Sequence, residues 1–567
     1  MANWKTELTF QNQHLCELDI NRGLFQGDSL SPILFVLALI PLSFLLKREK
    51  LGYKMNNNGI TLNHLFFMDD LKLYGKTESE LETLLNIVER FSHDIDMKFG
   101  FDKCASLKLE AGKRKSSSGI TLPSGDKIKD LEEEGYKYLG VLQEADVMCV
   151  EMKNMVRTEY LRRVKAVARS RLYAKNLIRA INVWAVSVIR YSAGVIDWRE
   201  KELKDIDIKT RKILTMNGVF HKKSNVDRLY IKRYEGGRGL ISVEDCVKME
   251  ICNLKDYFSF NPELLTFAAN EILFSVKCND ENDGEENENE IETGRQYKDR
   301  VLRERDARVW EKPMHGKFFR EVVKHATQEM HYWVAKGNMN KTTEGYLFAA
   351  QEQALPTNWL KAKILGEGGD PDPMCRKCHK KVETVTHLVS GCSELSQYHY
   401  RKRHDKMGLR VYWELCKSFG IKCNDKWYNE SPDKVRKSEC GNFEIWWDRP
   451  VETPRKLEHN RPDVVLIDKK AKSWIIIDFS VPIDQNVLNK EEEKICRYND
   501  LASEIRKLHN VKTNIIPLVI GALGVTSKNF KSYLKSIGIS KVEDVFLCMQ
   551  MSAVLGTSII LRQVLNS

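Results

Sequence analysis

Two short apolar runs flank a pair of acidic residues near the N-terminal end of the chain. Residues 65–68 lead into Asp69 and Asp70, and residues 71–74 follow them. Apolar runs interrupted by a short polar turn predict a β-hairpin with both carboxylates at its tip. Paired carboxylates can hold Mg²⁺ against substrate phosphates, although an isolated Asp-Asp pair is more often a solvated turn.

A glycine-rich loop precedes the hairpin and leads into an apolar run. Residues 22–32 contain Gln26 and Gly27, and Ser31 and Pro32 are suited to open a helix. The longest apolar run, residues 33–46, is shorter than a bilayer span and contains Pro41. It therefore predicts a core helix, and we expect no membrane partner.

Composition is typical of a large soluble protein with several domains. The chain has 567 residues, a net charge of +11 and 14 cysteines. The positive charge is compatible with a polyanionic partner, although charge alone is weak support. Many cysteines without a secretory signal indicate a reducing compartment, where some thiols bind metal.

Four elements near the N-terminal end follow one another in a specific order. They are the Gln26-Gly27 loop, the Asp69-Asp70 hairpin, residues 99–104 (FGFDKC) and residues 138–141 (YLGV). In order and spacing they resemble the palm motifs of reverse transcriptases from non-LTR retrotransposons. The resemblance implies that Gln26 and Gly27 contact template, and that Asp69 and Asp70 are catalytic with Asp69 as the principal Mg²⁺ ligand.

The same resemblance implies a third carboxylate on a strand that precedes the glycine-rich loop. The residues before Gln26 contain no segment that reads as that strand. We therefore expect an N-terminally truncated protein with an incomplete polymerase. It would extend a primer only if another segment supplied the missing parts.

A basic region follows the palm motifs. Residues 157–179 hold eight Lys or Arg residues and one acid, Glu159. Interleaved apolar residues make a solvated amphipathic helix one interpretation. The position resembles the polymerase thumb, which grips nucleic acid through its phosphates. That resemblance implies contact with template or primer by Arg162, Arg163, Lys165 and Arg169.

Four potential metal ligands stand close together at residues 375–392. Cys375, Cys378, His387 and Cys392 follow the spacing C-x2-C-x8-H-x4-C, which suits a closed tetrahedral Zn²⁺ site. A redox Cys-x-x-Cys pair is the alternative, but it would not require the other two ligands. The expected role of zinc is structural, since all four positions are filled by protein.

A third group of candidate residues follows. Asp463 precedes the apolar run 464–467, and the run 474–477 ends at Asp478. Two strands joined by a short polar turn would bring both acids to one face, where they could hold Mg²⁺ for phosphodiester hydrolysis. This arrangement resembles restriction-like endonucleases, although Ser480 stands where the commonest version has its lysine. The alternative is that the two acids are only solvated polar residues at the end of a hairpin.

In site-specific non-LTR retrotransposons the nuclease lysine lies on a downstream helix before an aromatic residue. By that resemblance Lys494 is the catalytic candidate, supported by Arg497 and Tyr498, with Lys490 in reserve. An ion pair of Lys494 with Glu491 or Glu492 is the alternative.

The sequence thus predicts an α+β multidomain chain. The expected domains are a partial reverse transcriptase palm (1–145), a helical basic thumb (146–275), an acidic flexible linker (276–298), a helical region (299–372), a zinc knuckle (373–393) and an α/β restriction-like endonuclease (394–567).

The resemblance covers nearly the whole chain and is closest to elements specific for ribosomal DNA. It implies target-primed reverse transcription, with Mg²⁺ and Zn²⁺ as cofactors, an RNA template and target DNA as partners, and a nuclear location. A nucleic-acid-binding remnant whose metal sites have decayed is the alternative.

Overall fold

The computed structural model describes residues 4–20, 23–24, 27–55, 60–132, 134–260, 292–322, 327–366 and 372–566. The chain divides into two compact units. The first comprises Met1–Asn154 and Phe258–Asn279, and the second comprises Met155–Tyr257 and Asp280–Ser567. Gln26 and nearly all of the acidic segment 279–292 lie outside the described residues.

The described strands of the first unit form two-stranded antiparallel sheets. Consecutive strands pair with each other, β1 with β2 and so on to β11 with β12. Their bounds are β1 Trp4–Phe10, β2 Gln13–Ile20, β3 Tyr53–Met55, β4 Ile60–Leu62, β5 His64–Phe67, β6 Asp70–Leu73, β7 Lys108–Glu110, β8 Lys113–Lys115, β9 Ile120–Thr121, β10 Lys127–Ile128, β11 Tyr136–Tyr138 and β12 Val141–Gln143.

Two long helices, Ser31–Arg48 and Glu78–Asp94, pack against each other in the first unit. Leu42 and Leu46 of one meet Leu84 and Val88 of the other. Thr77 caps the second helix by accepting a hydrogen bond from the Glu80 N–H, as the Thr-x-x-Glu pattern predicts. These contacts give the unit a small apolar core.

The helix Ser31–Arg48 differs from the core helix that the sequence predicts. Only one side of it is buried, and a row of large apolar side chains that includes Ile33, Val36 and Phe44 is exposed. It also reaches 18 residues, so by length and apolar composition it and Val542–Leu565 are the two described helices that could cross a membrane. The second of these is 61% buried over its most apolar window, whereas the first is 17% buried.

From residue 149 onward the chain is mainly helical. The longer helices are Cys149–Arg169, Ala174–Ala180, Val186–Ser192, Glu200–Met216, Val243–Phe260, Gly294–Glu311, Lys317–Val322, Lys341–Gln351, Val385–Ser390, Arg401–Ser418, Val487–His509, Phe530–Ser536 and Val542–Leu565. Shorter helical turns are Ile181–Ala185, Asp227–Tyr230, Arg233–Glu235, Gln328–His331, Tyr332–Ala335, Asn358–Leu360, Lys361–Leu365, Ser393–Leu395, Ser396–Tyr400, Trp427–Asn429 and Asp484–Asn486.

A five-stranded mixed sheet lies in the C-terminal part of the second unit. Its strands are β13 Val435–Lys437, β14 Phe443–Trp447, β15 Val464–Asp468, β16 Ser473–Ser480 and β17 Lys512–Val519, in that spatial order. The first four pair antiparallel, and β17 pairs parallel to β16. The helix Val487–His509 makes the crossover between the two parallel strands.

Both faces of this sheet are covered, which explains the unbroken apolar runs in its central strands. Val464 and Leu466 point to the side of helix Arg401–Ser418, while Val465 and Ile467 point to helix Val487–His509. The C-terminal helix Val542–Leu565 is also part of the core and contributes the fully buried Phe546 and other side chains.

A buried ionic network joins the segment 227–240, which contains two short helical turns, to the helix Lys341–Gln351. Glu344 accepts hydrogen bonds from Arg238 Nη2 at 2.9 Å and from Arg233 Nη1 at 3.2 Å. Arg228 pairs with Glu352 at 3.3 Å, and both side chains are at most 2% exposed. These ion pairs therefore hold together parts of the chain that are far apart in sequence, and they start from the segments 228–230 and 236–240.

Candidate functional sites

Asp69 lies in the two-residue loop of a tight hairpin. Strands β5 and β6 pair antiparallel with Phe67 opposite Asp70, so Met68 and Asp69 connect them. Met68 adopts a φ of 56°, and a positive φ at the first loop residue is typical of tight hairpin turns. Both carboxylates are exposed. The predicted hairpin is present, and its acids are accessible to a metal ion.

Two of the other predicted motifs lie beside this hairpin. Burial and the charge of Asp70 together raise the pKa of Tyr138, which ends β11. Lys72 Nζ lies 5.5 Å from the Tyr138 ring centre and donates a hydrogen bond of 2.7 Å to Gln143. Tyr136 Oη donates at 2.8 Å to the carbonyl of Lys103, within the turn Phe101–Lys103. The hairpin and residues 99–104 and 138–141 thus come together, and Gly27 is exposed with a φ of 99°.

The basic helix Cys149–Arg169 divides its cations into two groups. Arg162 and Arg163 both bind Glu159, at 2.6 and 2.7 Å, and both lie over the Trp184 ring. Lys165 and Arg169 are exposed, and no carboxylate partner of either is found among the described residues. These two are therefore the cations of this helix most available to a phosphate.

Cys375, Cys378, His387 and Cys392 converge on one point. All four are buried, and their ligand atoms lie within 4.8 Å of one another. Cys375 and Cys392 Sγ atoms are 4.0 Å apart, and Cys378 Sγ is 3.3 Å from His387 Nε2. A tetrahedron with Zn–S bonds of about 2.3 Å has sulfur-sulfur edges of about 3.8 Å. The four residues therefore fit a Zn²⁺ ion.

The surroundings of this cluster shift the pKa values of its side chains, lowering those of Cys378 and His387 and raising that of Cys392. Although burial disfavours the thiolate, backbone N–H groups of Lys380 and Lys381 lower the pKa of Cys378. Burial lowers the pKa of His387, which favours the neutral imidazole that binds zinc. Arg376 connects the cluster to the rest of the unit, since it pairs with Glu383 at 2.8 Å and donates to the carbonyl of Val564 at 3.3 Å.

Asp463 lies just before β15 and opposite Asp478 of β16, and both strands are inner strands of the five-stranded sheet. Strand β15 pairs antiparallel with β16, with Val464 opposite Ile477. Continuing this register by one step places Asp463 opposite Asp478. Asp478 is 2% exposed, and burial together with the charge of Asp463 raises its pKa. The strand pattern of the sequence therefore leads to a close carboxylate pair.

The helix Val487–His509 delivers two side chains to the same pair. Lys494 Nζ forms an ion pair with Asp478 Oδ2. Tyr498 Oη donates a hydrogen bond of 2.7 Å to Asp478 Oδ1. Lys490 pairs instead with Glu493 at 2.7 Å, and Arg497 pairs with Glu493 at 2.5 Å. Of the two candidate lysines, Lys494 is therefore the one that contacts a candidate catalytic acid.

His404 contacts Asp463, and sequence reasoning missed it. Its Nε2 atom lies 3.1 Å from Asp463 Oδ2 and 3.1 Å from the carbonyl oxygen of Phe479. Burial opposes its protonation, but hydrogen bonds to Asp405 and Asp463 raise the pKa of His404 to about 10. His404 lies 59 residues before Asp463, on the helix Arg401–Ser418, so no local spacing in the sequence indicates this contact.

The carboxylate pair is close to a surface cleft. Asp463 and His404 line a cleft of about 370 Å³, together with Tyr400, Arg401, Asp448 and other residues. Burial opposes ionisation of Asp463, but the hydrogen bond and charge of His404 hold its pKa below the usual range. Carboxylate oxygens are hard donors, which suit Mg²⁺. Asp463 and Asp478 are the residues that could hold it.

Comparisons with known proteins cover parts of the chain. Residues 1–142 match the family model "Reverse transcriptase (RNA-dependent DNA polymerase)". A Retrovirus-related Pol polyprotein from type-2 retrotransposable element R2DM of Drosophila melanogaster is 34% identical over 125 residues, which is 21% of this chain and 12% of that protein. An uncharacterized mitochondrial protein of Arabidopsis thaliana is 46% identical over 55 residues, 9% of this chain and 45% of that protein.

The chain thus spans about an eighth of the first relative and less than half of the second. Reverse transcriptase domains usually use divalent metal ions, which agrees with the exposed Asp69 and Asp70. Residues 1–142 are thus similar to a reverse transcriptase domain, and the similarity to the Drosophila protein supports a relation to retrotransposon reverse transcriptases.

Proposed function

We propose that residues 394–567 form a metal-dependent DNA endonuclease that acts with the reverse transcriptase domain in target-primed reverse transcription. The observation that carries the proposal is the convergence of Asp463, Asp478 and Lys494 beside a cleft. The buried Asp478 in direct contact with Lys494, next to the partly buried Asp463, is costly to assemble without a function, because each charge loses solvation. The nuclease would cut target DNA and leave a 3′ end for priming.

Each residue of the site would have a distinct role in phosphodiester hydrolysis. When bound between the carboxylates, Mg²⁺ supplies Lewis acidity and lowers the pKa of water. Lys494, which contacts Asp478, would stabilise negative charge on the phosphate and orient the attacking water. Tyr498 holds Asp478 in place through its hydrogen bond. The lysine on the helix Val487–His509 would compensate for Ser480, which stands where the commonest nuclease pattern has lysine.

Nicking of supercoiled plasmid tests the proposal. The wild-type chain should nick plasmid in Mg²⁺, and Asp463→Asn, Asp478→Asn and Lys494→Gln should each reduce the rate by about 100-fold or more, since each removes a charge at the reacting centre. Lys490→Gln is the matched control, because it removes the same charge one turn away on the same helix. Absence of nicking by wild type would favour the decayed, nucleic-acid-binding remnant instead.

RNA-directed DNA synthesis is a second candidate function, favoured by the family match of residues 1–142. Primer extension on an RNA template measures it, and Asp69→Ala should abolish it. Extension that Asp69→Ala leaves unchanged would refute the role of Asp69.

The remaining features fit the same proposal. Zn²⁺ at Cys375, Cys378, His387 and Cys392 would have a structural role, and Lys165 and Arg169 would contact the template-primer duplex. Target DNA in a ribosomal-DNA site, an RNA template and a nuclear location come from the family resemblance alone.

A further inference from the structure

Three basic side chains gather around one carboxylate at the rim of the nuclease cleft. Arg461 Nε lies 2.6 Å from Asp448 Oδ1, and Lys434 Nζ lies 3.1 Å from Asp448 Oδ2. Arg401 Nη2 is 3.9 Å from the same oxygen. Arg401 also lies 3.9 Å from Asp405, which forms a hydrogen bond with His404. Three cations thus share Asp448, and positive charge is in excess around it.

The backbone fixes this cluster next to the candidate catalytic acid. Asp448 N–H donates a hydrogen bond of 2.8 Å to the carbonyl oxygen of Asp463, one step beyond the paired residues of β14 and β15. Lys434 Nζ also donates to the main-chain oxygen of Asp448 at 2.7 Å. Asp448, Arg401 and Asp463 line the same cleft. A group bound by the cluster would therefore be held close to Asp463.

The three cations are more exposed to solvent than Asp448 is, so they can exchange partners more easily. The side chains of Arg401, Lys434 and Arg461 are 68%, 60% and 53% exposed, compared with 32% for Asp448. Exposed ion pairs contribute little to stability, so the cluster is weakly explained by folding alone. Guanidinium groups bind carboxylate and phosphate oxygens in the same two-pronged geometry. A carboxylate surrounded by such groups occupies the place that a phosphate would take.

We propose that Arg401, Lys434 and Arg461 form a subsite for a backbone phosphate of the DNA strand beside the scissile phosphodiester, and that Asp448 occupies this subsite when DNA is absent. The inference rests on the proposed nuclease function, because that function identifies the cleft. On DNA binding the three cations turn from Asp448 to the phosphate. Asp448 then opposes binding by its negative charge and limits retention of DNA in the cleft.

DNA binding without cleavage tests the subsite. Fluorescence anisotropy of a short labelled duplex is measured in Ca²⁺ at several salt concentrations. Lys434→Gln and Arg461→Gln should each raise Kd about threefold to tenfold, and each should reduce the salt slope of log Kd by about one. Asp448→Asn should lower Kd about threefold, since it removes a negative charge a few ångströms from the phosphate.

Lys437→Gln is the matched control. Lys437 lies at the other end of β13, is 62% exposed and pairs with Glu444, so the variant has the same net charge as Lys434→Gln. It should leave the salt slope unchanged. Equal effects of the two lysine variants would overturn the proposal, and so would unchanged or weaker DNA binding by Asp448→Asn. Variants that weaken binding of single-stranded RNA but not of duplex DNA would also overturn it.

Plasmid nicking by the same proteins separates the two proposals. If wild type does not nick in Mg²⁺ but the binding changes occur as expected, the nuclease proposal fails and the phosphate subsite stands. If wild type nicks and the binding of Lys434→Gln and Arg461→Gln equals that of wild type, the subsite fails and the nuclease stands.

Discussion

Replacement of Glu344 by alanine should strongly destabilise the second unit. Glu344 is fully buried and accepts hydrogen bonds from both Arg233 and Arg238, whose side chains are 13% and 1% exposed. The variant leaves these guanidinium groups in the core without their counter-ion. Removing one partner of a buried ion pair costs about 3–5 kcal/mol. Since a folded protein is stable by about 5–15 kcal/mol, this is a large fraction of the total.

Urea unfolding followed by tryptophan fluorescence measures this effect, because Trp333 is fully buried in the core that contains the same helix. A control is Glu200→Ala, which breaks a partly exposed pair with Lys204 one turn away and should cost about 0.5 kcal/mol or less. Glu344→Gln keeps the side-chain size and one acceptor oxygen. Its loss of unfolding free energy should therefore lie between those of Glu344→Ala and Glu200→Ala. If the free energy of unfolding of Glu344→Ala is within about 1 kcal/mol of the wild-type value, the network does not join the two segments as argued.

Three further predictions concern the metal sites and one buried acid. Cys392→Ser should lower bound zinc below one ion per chain and reduce the melting temperature, whereas the exposed Cys440→Ser should change neither; unchanged zinc content would exclude Cys392 as a ligand. Tyr498→Phe removes the 2.7 Å hydrogen bond to Asp478 and should raise the Mg²⁺ concentration for half-maximal nicking about tenfold; an unchanged midpoint would refute that role. Burial raises the pKa of Asp484 to about 7, so the folded state binds its proton more tightly than the unfolded state does. Stability should therefore fall as pH rises from about 4 to about 7, by up to about 4 kcal/mol, and urea unfolding of Asp484→Asn should lose this slope.

The local features of the sites could be predicted from the sequence. The hairpin with Asp69 at its tip follows from apolar runs on either side of a polar pair. The pairing of Asp463 with Asp478 follows in the same way, since strand length and turn length set the register. The zinc cluster is encoded within 18 residues of chain, so its spacing alone indicates the geometry. In each case the interacting residues are near neighbours in sequence.

Features that depend on distant contacts could not be predicted. His404 reaches Asp463 across 59 residues, and Arg228 reaches Glu352 across 124. Nothing in the pattern around either residue reveals its partner, because tertiary packing decides which helices meet. The exposed side of helix Ser31–Arg48 could not be predicted either, because an apolar run predicts burial but does not indicate which side is covered. The five predicted boundaries between the six domains and the roles of the site residues stay predictions.

The buried arginine–glutamate network also fixes the spacing between two candidate nucleic-acid contacts. It joins the helices around residues 155–257 to the part of the chain that carries the zinc cluster and the five-stranded sheet, within one compact unit. Lys165 and the cleft beside Asp463 therefore belong to a single folded body. A nucleic acid that touches both would be held at a spacing set by this body and not by the length of any connecting segment, so a cut made in the cleft would always fall at the same distance from the basic helix.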